Sequence, residues 1–162
     1  EGTPVPTETL ARRIAELSAP SSAAPAFSLP GPTGETNRYT TAPRGPILCL
    51  GPRRDAALEQ EAQARAAGCP ALAVAPGLSE AEGIDGVIEP ETLAALSGIA
   101  AVVFWGEAAT ARALRQALAE RDGPILPLIR AADLVPHCMT ERHLCVDTTA
   151  SGGNASLLAR AG

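Results

Sequence analysis

The sequence predicts an α/β fold: a mostly parallel sheet with helices on both faces, plus a protruding C-terminal β-flap arm. Three observations carry that expectation. The runs PILCL (Pro46–Leu50), ALAVA (Ala71–Ala75) and AAVVFW (Ala100–Trp105) are apolar throughout, and strands without a polar side belong in a sheet buried on both faces. Helical segments separate them, which is the alternation of a parallel, Rossmann-like layout. Finally, HLCVDTT (His143–Thr149) is extended with no helix after it, so it is read as lying outside the main sheet.

Taken in order, Thr7–Ser18 reads as a short helix with Thr7 as N-cap and Leu10, Ile14 and Leu17 on one face. Ala19–Pro32, rich in Pro, Ser and Ala, reads as a linker. This divides the chain into a helix and linker (1–28), a Rossmann-like domain (29–135) and a flap with its tail (136–162). Gly31–Pro32–Thr33–Gly34 is a turn into the polar, extended stretch Glu35–Thr41; it lacks the strand-to-helix context of a phosphate loop. Arg54–Ala67 is a helix ended by Gly68 in the C′ position. Gly86–Ile88 is a short third strand, and Pro90 in the first helical position opens a helix to Leu96. Glu107–Arg121 is the helix after AAVVFW, and Ile125–Ile129 closes the strand series. Ser151–Asn154 (SGGN) is too glycine-rich for a helix.

Composition narrows the function. All thirteen basic residues are arginine, so Schiff-base chemistry and a P-loop lysine are excluded. A net charge of −5 with interspersed signs argues against nucleic acid as partner. No apolar run approaches a membrane span, so no membrane insertion is expected. Cys49, Cys69, Cys138 and Cys145 form no CxxC pair, which favours free thiols in a reducing compartment. The first residue, Glu1, suggests a fragment or processed chain.

Three segments resemble a known family: LPGPTGETN (Leu29–Asn37), VVFWGE (Val102–Glu107) and ERHLCVDTTASGGNASLL (Glu141–Leu158). GPTGE followed by GGNAS is similar to the long, trifunctional-type bacterial proline utilization A enzymes, near their C-terminus, over most of this chain. In those enzymes a degenerate second copy of an aldehyde dehydrogenase nucleotide-binding half follows the catalytic module. The resemblance implies a parent with an FAD-bearing proline dehydrogenase module and an NAD-dependent L-glutamate γ-semialdehyde dehydrogenase module. It also implies a bacterial cytoplasmic location, with the parent peripheral at the inner membrane.

The resemblance further implies that this chain itself neither catalyses nor holds a cofactor. Active relatives carry Phe-Thr-Gly-Ser where this chain reads Phe104–Trp105–Gly106–Glu107, and a Lys-Pro pair where it reads Ala75–Pro76. Glu107 is expected to put its own carboxylate on the helix N-terminus that would meet the cofactor phosphates. Instead the arm is expected to act as a dimer-like flap that packs on the catalytic module of the same polypeptide and helps enclose a substrate-channelling tunnel. His143, Cys145, Asp147 and Thr149 would form one face and Leu144, Val146 and Thr148 the other, with a docking turn at Gly152, Gly153 and Asn154. In isolation the arm could also make a homodimer. The alternative reading is a small NAD- or nucleotide-binding Rossmann-type enzyme, supported by fold alone. A receiver-like domain would need an acidic cluster that Asp55 and Asp85 do not supply. A zinc site at His137, Cys138, His143 and Cys145 has poor ligand spacing, so no metal is expected.

Overall fold

The computed structural model describes residues 2–17 and 26–147. These form two compact units: residues 2–17 with 43–139, and residues 26–42 with 140–147.

The first unit is the expected parallel sheet. Strands β3 (Ile47–Cys49), β4 (Ala71–Ala73), β5 (Ala101–Val103) and β6 (Leu128–Ile129) lie in the order β4-β3-β5-β6. Ile47–Cys49 pairs in parallel with Ala71–Ala73 on one side and with Ala101–Val103 on the other. Both sheet faces are covered. Leu48, Leu72 and Val102 pack with Leu93 of helix α3 (Pro90–Ala95) and Leu114 of α4 (Ala108–Ala119). Ile47, Cys49, Ala101 and Val103 pack on the opposite side with Ala64 of α2 (Arg54–Ala66), Leu134 and Cys138. Adjacent residues of one strand thus enter different cores, so the strand sequence carries no polar positions.

Helix α2 ends as its sequence demands. Gly68 takes φ +84°, its N–H donates to Arg65 O at 2.9 Å, and Cys69 N–H donates to Ala64 O at 3.0 Å. This is a Schellman cap, and a side chain at Gly68 would be strained in it.

Several expectations are corrected. Helix α1 (Thr7–Ala15) has Pro6, not Thr7, as N-cap; Pro6 offers no side-chain acceptor, and Thr9 N–H and Leu10 N–H donate to its carbonyl. Nor is α1 an appendage. Leu10 and Ile14 are buried in the core that holds Leu93, and ahead of the helix Val5 N–H donates to Val87 O and Val87 N–H donates to Thr3 O. Gly86–Ile88 is not a sheet strand: Val87 makes an isolated bridge to Pro4. The last strand shrinks to Leu128–Ile129; Pro127 has no N–H to donate to the ladder, and Ile125 is 97% exposed.

The second unit is a three-stranded sheet in the order β1-β2-β7, formed by β1 (Phe27–Leu29), β2 (Glu35–Pro43) and β7 (Met139–Asp147). Phe27–Leu29, read from composition as linker, is antiparallel to β2, with Phe27 opposite Tyr39 and Leu29 opposite Asn37. The turn between them contains Gly34 at φ +93° and a Glu35 N–H to Pro32 O bond. The boundaries at 28/29 and 135/136 therefore differ from those of the folded units. Residues 26–42 leave the Rossmann-like unit for the flap, and α1 joins that unit.

Candidate functional site

Two features, one in each unit, could carry function. In the parallel sheet, the chain leaves β3 toward β4 on one side and leaves β5 toward β6 on the other. Such a switch point opens a crevice at the carboxyl ends of the strands, where doubly wound proteins bind ligands. Here it is a cavity of about 240 Å³ lined by Leu50, Val74, Pro76, Phe104, Thr110 and Leu114 among others. Among the described lining residues, Thr110 supplies the one polar side chain, and no charged group is present.

The residues singled out around this crevice have structural partners. Ala75 is buried in a small cluster with Ala57, Ala73 and Leu78. The Trp105 indole N–H donates to Ala131 O at 2.8 Å and its backbone N–H to Gly51 O at 3.0 Å. Gly106 O accepts from Arg130 at 2.6 Å, and a Cβ at Gly106 would collide with the Phe104 ring. Glu107, expected as the first residue of the helix, is instead the N-cap of α4, and its exposed carboxylate makes no cap hydrogen bond. The expectation that it satisfies the helix donors is therefore corrected. Its charge remains at the positive end of the helix dipole.

Sequence reasoning missed Gln60, the one fully buried polar residue among the described core. Its Nε2 donates to Gly51 O at 2.9 Å and its Oε1 accepts from Gly51 N–H at 3.0 Å. It thereby pins the turn after β3, where Gly51 takes φ +77° beside the crevice wall. The signal was present: Ala57, Gln60 and Ala64 recur at helical spacing, which places an amide on an alanine-lined buried face.

In the second unit, the links from β2 to β7 run in opposite order along the two strands, as antiparallel pairing requires. His143 Nε2 meets Asn37 Oδ1 at 3.1 Å, Thr40 Oγ1 donates to Arg142 O, and Thr140 Oγ1 donates to Ala42 O. A hydrogen bond with Glu141 raises the pKa of Tyr39. One face thus carries Phe27, Leu29, Asn37, Tyr39, Glu141 and His143, and the other carries Arg38, Thr40, Arg142, Leu144 and Val146. Phe27 (54%), Leu29 (43%), Leu144 (54%) and Val146 (48%) are large apolar side chains left in water. Cys145 is exposed, on the face of His143. Thr148, Thr149, Gly152, Gly153 and Asn154 lie outside the described residues.

Elsewhere, Glu61 of α2 makes an ion pair with Arg65 one turn along the helix. It sits half-buried, and burial raises its pKa although Arg65 pairs with it at 2.8 Å. Among the described residues no three His, Cys, Asp or Glu side chains are placed to hold a metal ion, and no helix is long and apolar enough to cross a membrane.

Topology and crevice define a Rossmann-like α/β domain, and the chain adds to it an antiparallel flap of three strands. By sequence, the chain is homologous to a segment of the bifunctional PutA proteins. It is 35% identical over 172 residues to Bifunctional protein PutA of Salmonella typhimurium, matching 93% of this chain and 12% of that protein. It is 38% identical over 144 residues to Bifunctional protein PutA of Escherichia coli, matching 80% of this chain and 11% of that protein. The chain therefore spans about an eighth of the length of the curated relatives it matches. A solved structure of proline utilization A with proline bound in remote sites matches 65% of this chain and 13% of its own, at 28% identity and TM-score 0.46. No family model matches the chain.

Proposed function

We propose that this chain is a non-catalytic interaction domain of a PutA-type enzyme, and that its flap packs on the aldehyde dehydrogenase module of the same polypeptide. The flap sheet carries the reading. Four large apolar side chains on a two-faced sheet are surface that proteins normally cover with a partner. In this reading the parent oxidises proline with FAD and glutamate semialdehyde with NAD, and the flap helps enclose the tunnel between those sites. The domain binds no cofactor of its own. That part is supported by the uncharged lining of the crevice, since dinucleotide sites meet a pyrophosphate with donors and positive charge.

Deleting 141–162 from the full-length parent tests the proposal. The expected result is a larger loss in aldehyde oxidation than in proline oxidation, with a longer lag before NADH appears from proline. Equal loss in both half-reactions, or an unchanged lag, refutes it. Titrating this chain with NAD by calorimetry separates it from the alternative of a small nucleotide-binding enzyme: no saturation below millimolar NAD is expected, and saturation in the micromolar range favours the alternative.

A further inference from the structure

Three of the four cysteines, Cys49, Cys69 and Cys138, share the buried cluster behind β3 and β5. Two of them touch. The Cys69 thiol donates to the Cys138 carbonyl at 3.2 Å, and hydrogen bonding with the Cys138 side chain is the leading cause that lowers the pKa of Cys69. The backbone arranges this meeting. Cys69 is the residue just past Gly68 in the Schellman cap of α2, and Cys138 closes the 3₁₀ turn Val135–Cys138 that leads into β7. Arg44 holds that turn: its N–H donates to Cys138 O at 2.8 Å and its Nε to His137 O at 2.7 Å. With no metal-ligand group among the described residues, two-electron thiol chemistry is what the pair offers.

We propose that Cys69 and Cys138 are a reversible redox pair whose disulfide ties the turn before β7 to the end of α2. With a hydroperoxide as oxidant, the Cys69 thiolate attacks one oxygen. An S–O bond forms, the O–O bond breaks, and the other oxygen leaves as water or alcohol after protonation. The Cys138 sulfur then attacks the Cys69 sulfenic acid, so that the S–S bond forms, the S–O bond breaks and water leaves. The pair has lost two electrons and two protons, and a dithiol reductant restores it. The order of events follows from the hydrogen bond between the thiols, which lowers the pKa of Cys69 and raises that of Cys138. Cys69 is only 2% exposed and Cys138 is fully buried, yet Val135, Pro136 and His137 around Cys138 are exposed. Opening a single turn therefore admits a small oxidant.

The experiment uses the chain with Cys145→Ser, which removes the exposed thiol. After mild hydrogen peroxide, peptide mapping by mass spectrometry should find one cross-linked Cys69–Cys138 peptide pair, 2 Da lighter than the two peptides. Cys49 should still be alkylated after denaturation. The cross-link closes a loop between cysteines 69 positions apart. The melting temperature should therefore rise by roughly 10 °C and fall back with dithiothreitol. Adding Cys138→Ala should abolish both signals. Recovering Cys69 and Cys138 separately alkylated after oxidation overturns the proposal, as does a link to Cys49 or a melting shift that survives Cys138→Ala. If the alanine variant does not fold, the peptide map alone decides.

Discussion

Replacing Gln60 with leucine tests how the crevice wall is held. Gln60 is fully buried and both its amide groups bond to Gly51. Leucine of similar volume leaves little cavity, so the effect isolates the lost hydrogen bonds. Gly51 O keeps a partner in the Trp105 N–H at 3.0 Å, whereas among the described residues the Gly51 N–H donates to Gln60 Oε1 alone. An orphaned buried donor costs about 1–3 kcal/mol. For a chain of this size that lowers the melting temperature by roughly 3–10 °C. Urea denaturation should show a lower midpoint at unchanged slope, and the Gly51 amide should exchange with deuterium faster than in the parent. Gln60→Glu sharpens the test. Ionised, it sets a carboxylate against Gly51 O; protonated, it can donate to that carbonyl and accept from the N–H as glutamine does. Burial raises the pKa of such a carboxyl, so its stabilising state is present at low pH and lost as pH rises through that pKa. Gln60→Glu should therefore be the weaker variant at neutral pH and recover on acidification. An unchanged midpoint for Gln60→Leu, or a Gln60→Glu variant whose stability does not respond to pH, refutes the reasoning.

Three further outcomes are expected. Gly106→Ala should cost about 1–3 kcal/mol in thermal or urea unfolding, because its Cβ meets the core ring of Phe104; parent-like stability would mean that the ring yields. Glu82 accepts from Arg54 and from Ser79 N–H and Oγ, and the Arg54 bond leads in lowering its pKa from 4.5 to about 2. Its contribution is thus present above pH 4.5 and lost as pH falls toward about 2, and Glu82→Gln should flatten the unfolding curve in that window. Val146→Lys should reduce any concentration-dependent association seen by multi-angle light scattering, since it charges the exposed flap face; association unaffected by the change would place the contact elsewhere.

The sequence by itself determined the parallel sheet and the helices between its strands. Apolar runs such as Pro46–Leu50 and Ala100–Trp105 have no water-facing residues, and burial of both faces is the only arrangement that suits them. It determined the end of α2 as well, since Gly68 fits a positive φ that other residues resist. What depended on partners distant in sequence was decided by the tertiary structure. Phe27–Leu29 is a strand because β2 offers it a ladder, although its neighbours in sequence resemble a linker. Leu10 and Ile14 formed a legible apolar stripe, but only packing against the core around Leu93 shows that α1 belongs to the domain. The pairing of Gln60 with Gly51 and the meeting of Cys69 with Cys138 likewise arise where turns converge in space. Periodicity reports which face of an element is buried, because burial repeats with the helical or strand spacing. It carries no information on which other element covers that face, and that choice is made by packing.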